Sequence, residues 1–170
     1  MSFASISYPE DKAARYALLL DQVKALTDGI AHPVANLANT AALLWQGMPD
    51  INWCGFYLMD HGALMLAPFC GLPACIKIPL GRGVCGTAAA SDEVQLVRDV
   101  HLFPGHIACD SASNSEIVIP LHHAGRVIGV LDLDSPLLAR FDETDLAGLA
   151  SIAQHLEACC DFAHTGYSLE

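Results

Sequence analysis

The sequence predicts an α+β fold, a central antiparallel sheet with helices packed on it. Apolar residues recur at helical spacing in two leading segments and one closing segment, and between them lie two pairs of β-branched runs, each pair joined by a tight turn. No repeated crossover helix separates those runs, as a parallel sheet would require. At 170 residues the chain is expected to form a single domain over 1–170, with two N-terminal helices, a sheet carrying active-site loops, and a C-terminal helix.

The first helix is expected from near Pro9, which suits a first helical position, and it ends near Gly29. Tyr16, Leu19, Leu20, Val23, Leu26 and Ile30 share its apolar face. A second helix opens at His32-Pro33, presents Val34, Leu37, Ala41, Leu44, Trp45 and Met48, and stops by Gly47 and Pro49. Residues 52–59 then read as a strand, Asp60-His61-Gly62 as a turn, and 63–69 as its antiparallel partner. A short apolar piece around Ile76-Lys77-Ile78 precedes Gly81-Arg82-Gly83 and a small-residue helix over 84–90. Gln95-Leu96-Val97 is a further short strand, and 99–114 is a long loop of the kind that carries function. Residues 116–121 and 126–133 form a second hairpin through His122-His123-Ala124-Gly125. Asp142 then caps a helix with the stripe Leu146, Leu149, Ile152, Ala153, Leu156 and Cys160.

Composition narrows the partners. Hydrophobic residues make up 53% and charged residues 16%, which predicts a compact fold and makes a homodimer interface a reasonable expectation. The net charge of −11 repels phosphate backbones and anionic lipid, so neither nucleic acid nor membrane is expected as a partner. No window reaches the ~18 apolar residues of a spanning helix, and Met1-Ser2-Phe3-Ala4-Ser5 has no signal-peptide pattern, so the expected location is cytoplasmic. The seven cysteines (54, 70, 75, 85, 109, 159 and 160) are then expected to be reduced, with any pairing transient. There is no C-x-x-C pair and the eight histidines are scattered, so no metal is expected.

Chemistry needs a reactive thiol or an acid that solvation does not explain. Cys109 sits in the long loop, where a thiol is accessible, although a buried cysteine acting as a small hydrophobe fits composition equally well. Cys85 lies just inside a helix start, where the dipole favours a thiolate, or packs as a core residue among Gly and Ala. Cys75 lies beside a proline-containing turn, from which a resolving thiol could move. Asp132 and Asp134 follow on the same alternating face as Ile128 and Val130; they either cap the Ser135-Pro136 turn or enter a pocket. Hairpin register brings Glu116 to the same end, so three carboxyls can converge and at least one would hold its proton. Trp53 and Tyr57 share a strand face, as core or as the floor of an apolar pocket. Free N–H groups at Gly81-Arg82-Gly83 are a possible anion cradle.

Longer strings carry a resemblance. Asn36-Leu37-Ala38-Asn39-Thr40, Asn52-Trp53, Gly55-Phe56-Tyr57-Leu58, Gly81-Arg82-Gly83-Val84-Cys85-Gly86-Thr87-Ala88, Asp99-Val100-His101, Gly105-His106-Ile107-Ala108-Cys109-Asp110, Ser113-Asn114-Ser115-Glu116-Ile117-Val118 and Ile128-Gly129-Val130-Leu131-Asp132-Leu133-Asp134-Ser135 resemble the free methionine-(R)-sulfoxide reductases over nearly the whole chain. That resemblance implies a GAF-like fold and a thiol-based reduction of free L-methionine-(R)-sulfoxide. It makes Cys109 the thiol that becomes a sulfenic acid, Cys75 or alternatively Cys85 the resolving thiol, and thioredoxin, fed by NADPH, the external reductant, with no bound cofactor. It also implies that Glu116, Asp132 and Asp134, with Asp99 as a fourth acid, hold the sulfoxide and the amino group while Trp53 and Tyr57 enclose the methyl end. Cys54, Cys70 and the Cys159-Cys160 pair depart from the pattern, and Cys70 is an alternative resolving thiol. The competing class is a GAF module that binds a small ligand without catalysis.

Overall fold

The computed structural model describes residues 7–107 and 110–169. Helix α1 (Lys12–Thr27) starts later than Pro9, because the Asp11 side chain accepts from the Ala14 N–H and supplies the cap that proline cannot. Ile30 consequently lies beyond the helix and is exposed. Helix α2 (Pro33–Gly47) begins where expected, with His32 as its N-cap, and buries Leu37, Ala41 and Leu44. Trp45 departs from its predicted face: it follows Leu44 by one residue, a turn of about 100°, and is 41% exposed.

Strands β1 (Trp53–Asp60) and β2 (Ala63–Gly71) form the first hairpin, and β5 (Ser115–His123) and β6 (Arg126–Ser135) the second. Both close through two residues at positive φ, His61 (48°) and Gly62 (76°) in one, Ala124 (50°) and Gly125 (74°) in the other. Such pairs suit the right-handed twist of the flanking strands. Between the hairpins lie β3 (Lys77–Pro79), α3 (Gly83–Ser91), β4 (Gln95–Val97) and a 3-10 turn over Val100–Leu102; α4 (Glu143–Cys159) follows β6. The sheet order is β3-β2-β1-β6-β5-β4, and every pairing is antiparallel. Among the described residues, no helix is long and apolar enough to cross a membrane.

The sheet is buried on both faces. Cys54, Phe56, Leu58, Ile117, Leu121, Leu131 and Leu133 face α1, α2 and α4, whereas Trp53, Tyr57, Val118 and Val130 face α3. Each fully buried large apolar side chain contributes roughly 1.5–3 kcal/mol. Ile128 sits with the helix-side core although Val130 does not, contrary to simple alternation. The β5–β6 register slips between Leu121 and His122, and this bulge resets the phase of β6 before the acids.

On the helix side, α1 and α4 are tied by Asp145. Its buried carboxylate accepts from the Tyr16 hydroxyl at 2.9 Å, Arg140 at 3.1 Å and Lys12, and it completes a capping box with Asp142. The result is a rigid platform under one face, leaving the α3 face for the cavity.

Candidate active site

Cross-strand register aligns the functional side chains on the α3 face. Trp53 pairs with Asp134 and Asp134 with Glu116; one step along, Gly55 pairs with Asp132 and Asp132 with Val118. Aromatic and acidic residues therefore occupy neighbouring rows at one end of the ladder. Trp53 stacks between Tyr57 and Phe69, with centroids 5.9 and 5.4 Å away. The indole N–H donates to the Leu72 carbonyl at 3.2 Å, and the Tyr57 hydroxyl to the Cys75 carbonyl at 3.0 Å. These two bonds hold the segment after β2 against the aromatic wall.

Over this floor the start of α3 closes one side of a cavity, and His106, Ile107, Asp110 and Ser113 line another. Gly86 lies so close to the turn before α3 that a Cβ there would sit 2.4 Å from the Pro79 carbonyl oxygen. The expected anion cradle is partly spent, since the Gly81 N–H donates to Gly86 and the Arg82 N–H to Pro79. Arg82 nevertheless reaches the rim. Asn52, just before β1, donates to Asp110 at 2.9 Å and to the Ser113 hydroxyl at 3.0 Å, fastening the loop to the sheet.

The acids are short of solvent. Burial is the main cause that raises the carboxyls of Glu116 and Asp134, and the neighbouring Asp132 charge pushes both further. Burial also raises Asp132, opposed by its bonds to the Cys85 thiol and Glu116. Three carboxyls packed this way cannot all ionise, so the cluster holds at least one proton near neutrality. Cys85 Sγ lies 3.1 Å from Asp132 Oδ2; burial first, then the acidic neighbours, push its thiol well above the usual range. It is therefore held as a thiol, despite the helix start beneath it. His106 faces Glu116 across 3.9 Å, too far for a hydrogen bond, and burial lowers its pKa, so the imidazole is neutral.

The remaining positions divide clearly. Trp53, Tyr57, Cys85, Glu116, Asp132 and Asp134 all line the cavity. Asp99 does not; it caps the turn over Val100–Leu102 by accepting from the His101 N–H at 3.0 Å. Cys75 is disulfide-bonded at the cavity mouth, beside lining residue Ala74, whereas Cys54, Cys70, Cys85, Cys159 and Cys160 are free thiols. Cys109 lies outside the described residues. Cys70 opposes Cys54 across β1 and β2 and packs toward the helix-side core, on the other face of the sheet from the cavity.

Residues 34–159 match the GAF domain family. The chain is 52% identical over 147 residues to the free methionine-R-sulfoxide reductase of Escherichia coli, covering 86% of this chain and 89% of that protein. The chain belongs to the free methionine-R-sulfoxide reductases. The yeast member of the family, from Saccharomyces cerevisiae, is 41% identical, covering 85% of this chain and 84% of its own length. The Neisseria meningitidis enzyme, solved in complex with its substrate, superposes with a TM-score of 0.88 at 49% identity, covering 92% of this chain and 95% of that one. As a member of this reductase family the protein is an oxidoreductase built on the GAF fold.

His106, Asn52, Asp110 and Ser113 were not singled out as individual site residues by spacing. The signal for His106, Asp110 and Ser113 lies inside the strings around Cys109 and Glu116, and that for Asn52 in the string Asn52-Trp53, while the contacts of Asn52 with Asp110 and Ser113 are tertiary.

Proposed function

We propose that this cavity reduces free L-methionine-(R)-sulfoxide to L-methionine, with Cys109 as the attacking thiol. The observation that carries the reading is the meeting of an aromatic wall with a buried, proton-holding acid trio, beside a disulfide-bonded Cys75 at the mouth. Trp53 and Tyr57 take the methyl end of the substrate. Glu116, Asp132 and Asp134 take the ammonium and the sulfoxide oxygen, and Arg82 at the rim attracts the carboxylate. A protonated carboxyl donating to the S–O oxygen makes sulfur electrophilic, and this helps only where thiolate and acid are positioned together.

The steps balance without a bound cofactor. The Cys109 sulfur takes the oxygen as the substrate S–O bond breaks, so the sulfoxide is reduced by two electrons, the thiol becomes a sulfenic acid and methionine leaves. Attack by the Cys75 thiol then forms the Cys75–Cys109 disulfide and expels water. A dithiol protein of the thioredoxin type, drawing on NADPH through its own reductase, restores both thiols by exchange. Cys85, held as a neutral thiol within the acid cluster, is a weaker nucleophile for the resolving step than a thiol on the mouth segment. The enclosure favours a free amino acid over methionine sulfoxide within a protein chain. A cytoplasmic homodimer is the form in which we expect the enzyme to act.

The test is thioredoxin-coupled NADPH consumption with free L-methionine-(R)-sulfoxide, its S epimer, and a peptide carrying the R epimer. Turnover with the free R epimer alone is the expected result. No turnover with any of the three would turn the reading to ligand sensing.

A further inference from the structure

Within the cavity, three side chains from three different elements meet in a way that no sequence spacing records. Cys85 of α3, Glu116 of β5 and Asp132 of β6 each present a donor atom, all within 4.8 Å of one another and all buried. Cys85 Sγ is 3.1 Å from Asp132 Oδ2 and 3.9 Å from Glu116 Oε1. Around a tetrahedral ion with bonds of about 2.0–2.3 Å, neighbouring donors lie roughly 3.3–3.8 Å apart. The two Cys85 separations therefore lie on either side of such an edge, and the third is within 4.8 Å. His106 Nε2, on the same cavity wall, is 3.9 Å from Glu116 Oε2 but stands outside this group of three.

A separate observation points to a missing partner. Asp132 Oδ1 is buried without a hydrogen bond, on a residue only 5% exposed that lines the cavity. An unsatisfied buried acceptor costs about 1–3 kcal/mol, which a bound group recovers.

We propose that Cys85, Glu116 and Asp132 form a site for a borderline-soft divalent cation of the zinc type, and that the ion and the sulfoxide substrate exclude one another. A donor set of one thiolate and two carboxylates selects zinc or cobalt over magnesium or calcium, which take oxygen alone. The ion would be an inhibitor, since it occupies the carboxyls that the substrate needs. The exclusion rests on the function proposed above; the ion site does not.

The test uses Co²⁺ on the enzyme as isolated, with Cys75 in its disulfide and no thiol reductant present. One equivalent should give a near-ultraviolet thiolate-to-cobalt charge-transfer band, displaced by Zn²⁺. The band should vanish in Cys85→Ser and survive in Cys159→Ser, which breaks the other close thiol pair, 3.9 Å apart. Asp132→Asn, nearly isosteric, should weaken Co²⁺ by more than the roughly 10–100-fold that loss of an outer-shell partner costs. Absence of the band in the wild type, its survival in Cys85→Ser, or unweakened binding in Asp132→Asn would overturn the site. Free methionine sulfoxide should raise the apparent Kd for Co²⁺; an unchanged Kd would overturn the exclusion. An inactive enzyme that still gives the band would sink the reductase reading alone.

Discussion

Gly55 is the position at which a single methyl group should damage both stability and the aromatic wall. It lies on β1 between Trp53 and Tyr57 on the same face, opposite Phe69 and just before the register slips at Tyr57. A Cβ built there would stand 2.3 Å from Phe69 Cβ, 2.7 Å from Phe69 Cα and 2.9 Å from the far edge of the Trp53 ring. Ordinary carbon contacts are about 3.5–4.0 Å, so Phe69 Cβ must withdraw by about 1 Å or more and the other two by somewhat less. One of them is backbone, which no rotamer change relieves. Overpacking of this kind costs about 1–3 kcal/mol, against up to about 1 kcal/mol recovered because alanine loses less chain entropy on folding. The net loss, up to about 2.5 kcal/mol, lowers Tm by up to roughly 10 °C for a chain of this size. The displaced indole stacks on Tyr57, so Gly55→Ala should also raise KM for the sulfoxide more than it lowers kcat. Thermal melting and a substrate titration check both. Unchanged Tm and KM would refute the argument that glycine is there to let Trp53 lie flat on Phe69.

Other expectations follow from the same contacts. Cys109→Ser should abolish turnover, measured as methionine released; full activity would remove Cys109 from the mechanism. Cys75→Ser should release one methionine per chain and then stall, and sustained thioredoxin-dependent cycling would move the resolving role elsewhere. Asp145→Ala strands Lys12, Arg140 and Tyr16 and should cost about 3–5 kcal/mol in urea unfolding, as removal of one partner from a buried ion pair does. His122 ties β5 to Asp92 at 2.7 Å and to Glu157 at 2.9 Å; burial pulls its pKa down, but these hydrogen bonds and charges outweigh it and raise the net value. Its contribution is therefore complete below about 6.5, the unfolded value, and is lost as pH rises through the higher folded one. With the side chain 40% exposed the effect is screened to within about 1 kcal/mol. A small fall in stability over that window, absent in His122→Asn, is the result to look for.

The helices and hairpins were legible because their signals are local: apolar spacing in α2 and α4, and two-residue turns able to take positive φ. Register in the second hairpin also placed Glu116 at the same end of the ladder as Asp132 and Asp134, where it pairs with Asp134. The phase slip at Ile128 was not legible, because a bulge is set by what the partner strand presents. Trp45 is apolar yet faces outward, since a helix has room for only one stripe against the sheet. In the cavity, the pairing of Cys85 with Asp132 and the contacts of Asn52 with Asp110 and Ser113 join parts of the chain far apart in sequence. Only packing reveals them, and it also placed Asp99 outside the acid group that resemblance had assigned it to.

The central claim is tested most directly by a single turnover. Fully reduced enzyme is mixed with one equivalent of free L-methionine-(R)-sulfoxide, quenched, and analysed for methionine, remaining thiols and linked peptides. The account predicts one methionine per chain, the loss of two thiols, and a disulfide joining the peptides of Cys75 and Cys109. No methionine, or methionine accompanied by a disulfide that omits Cys109, would contradict it.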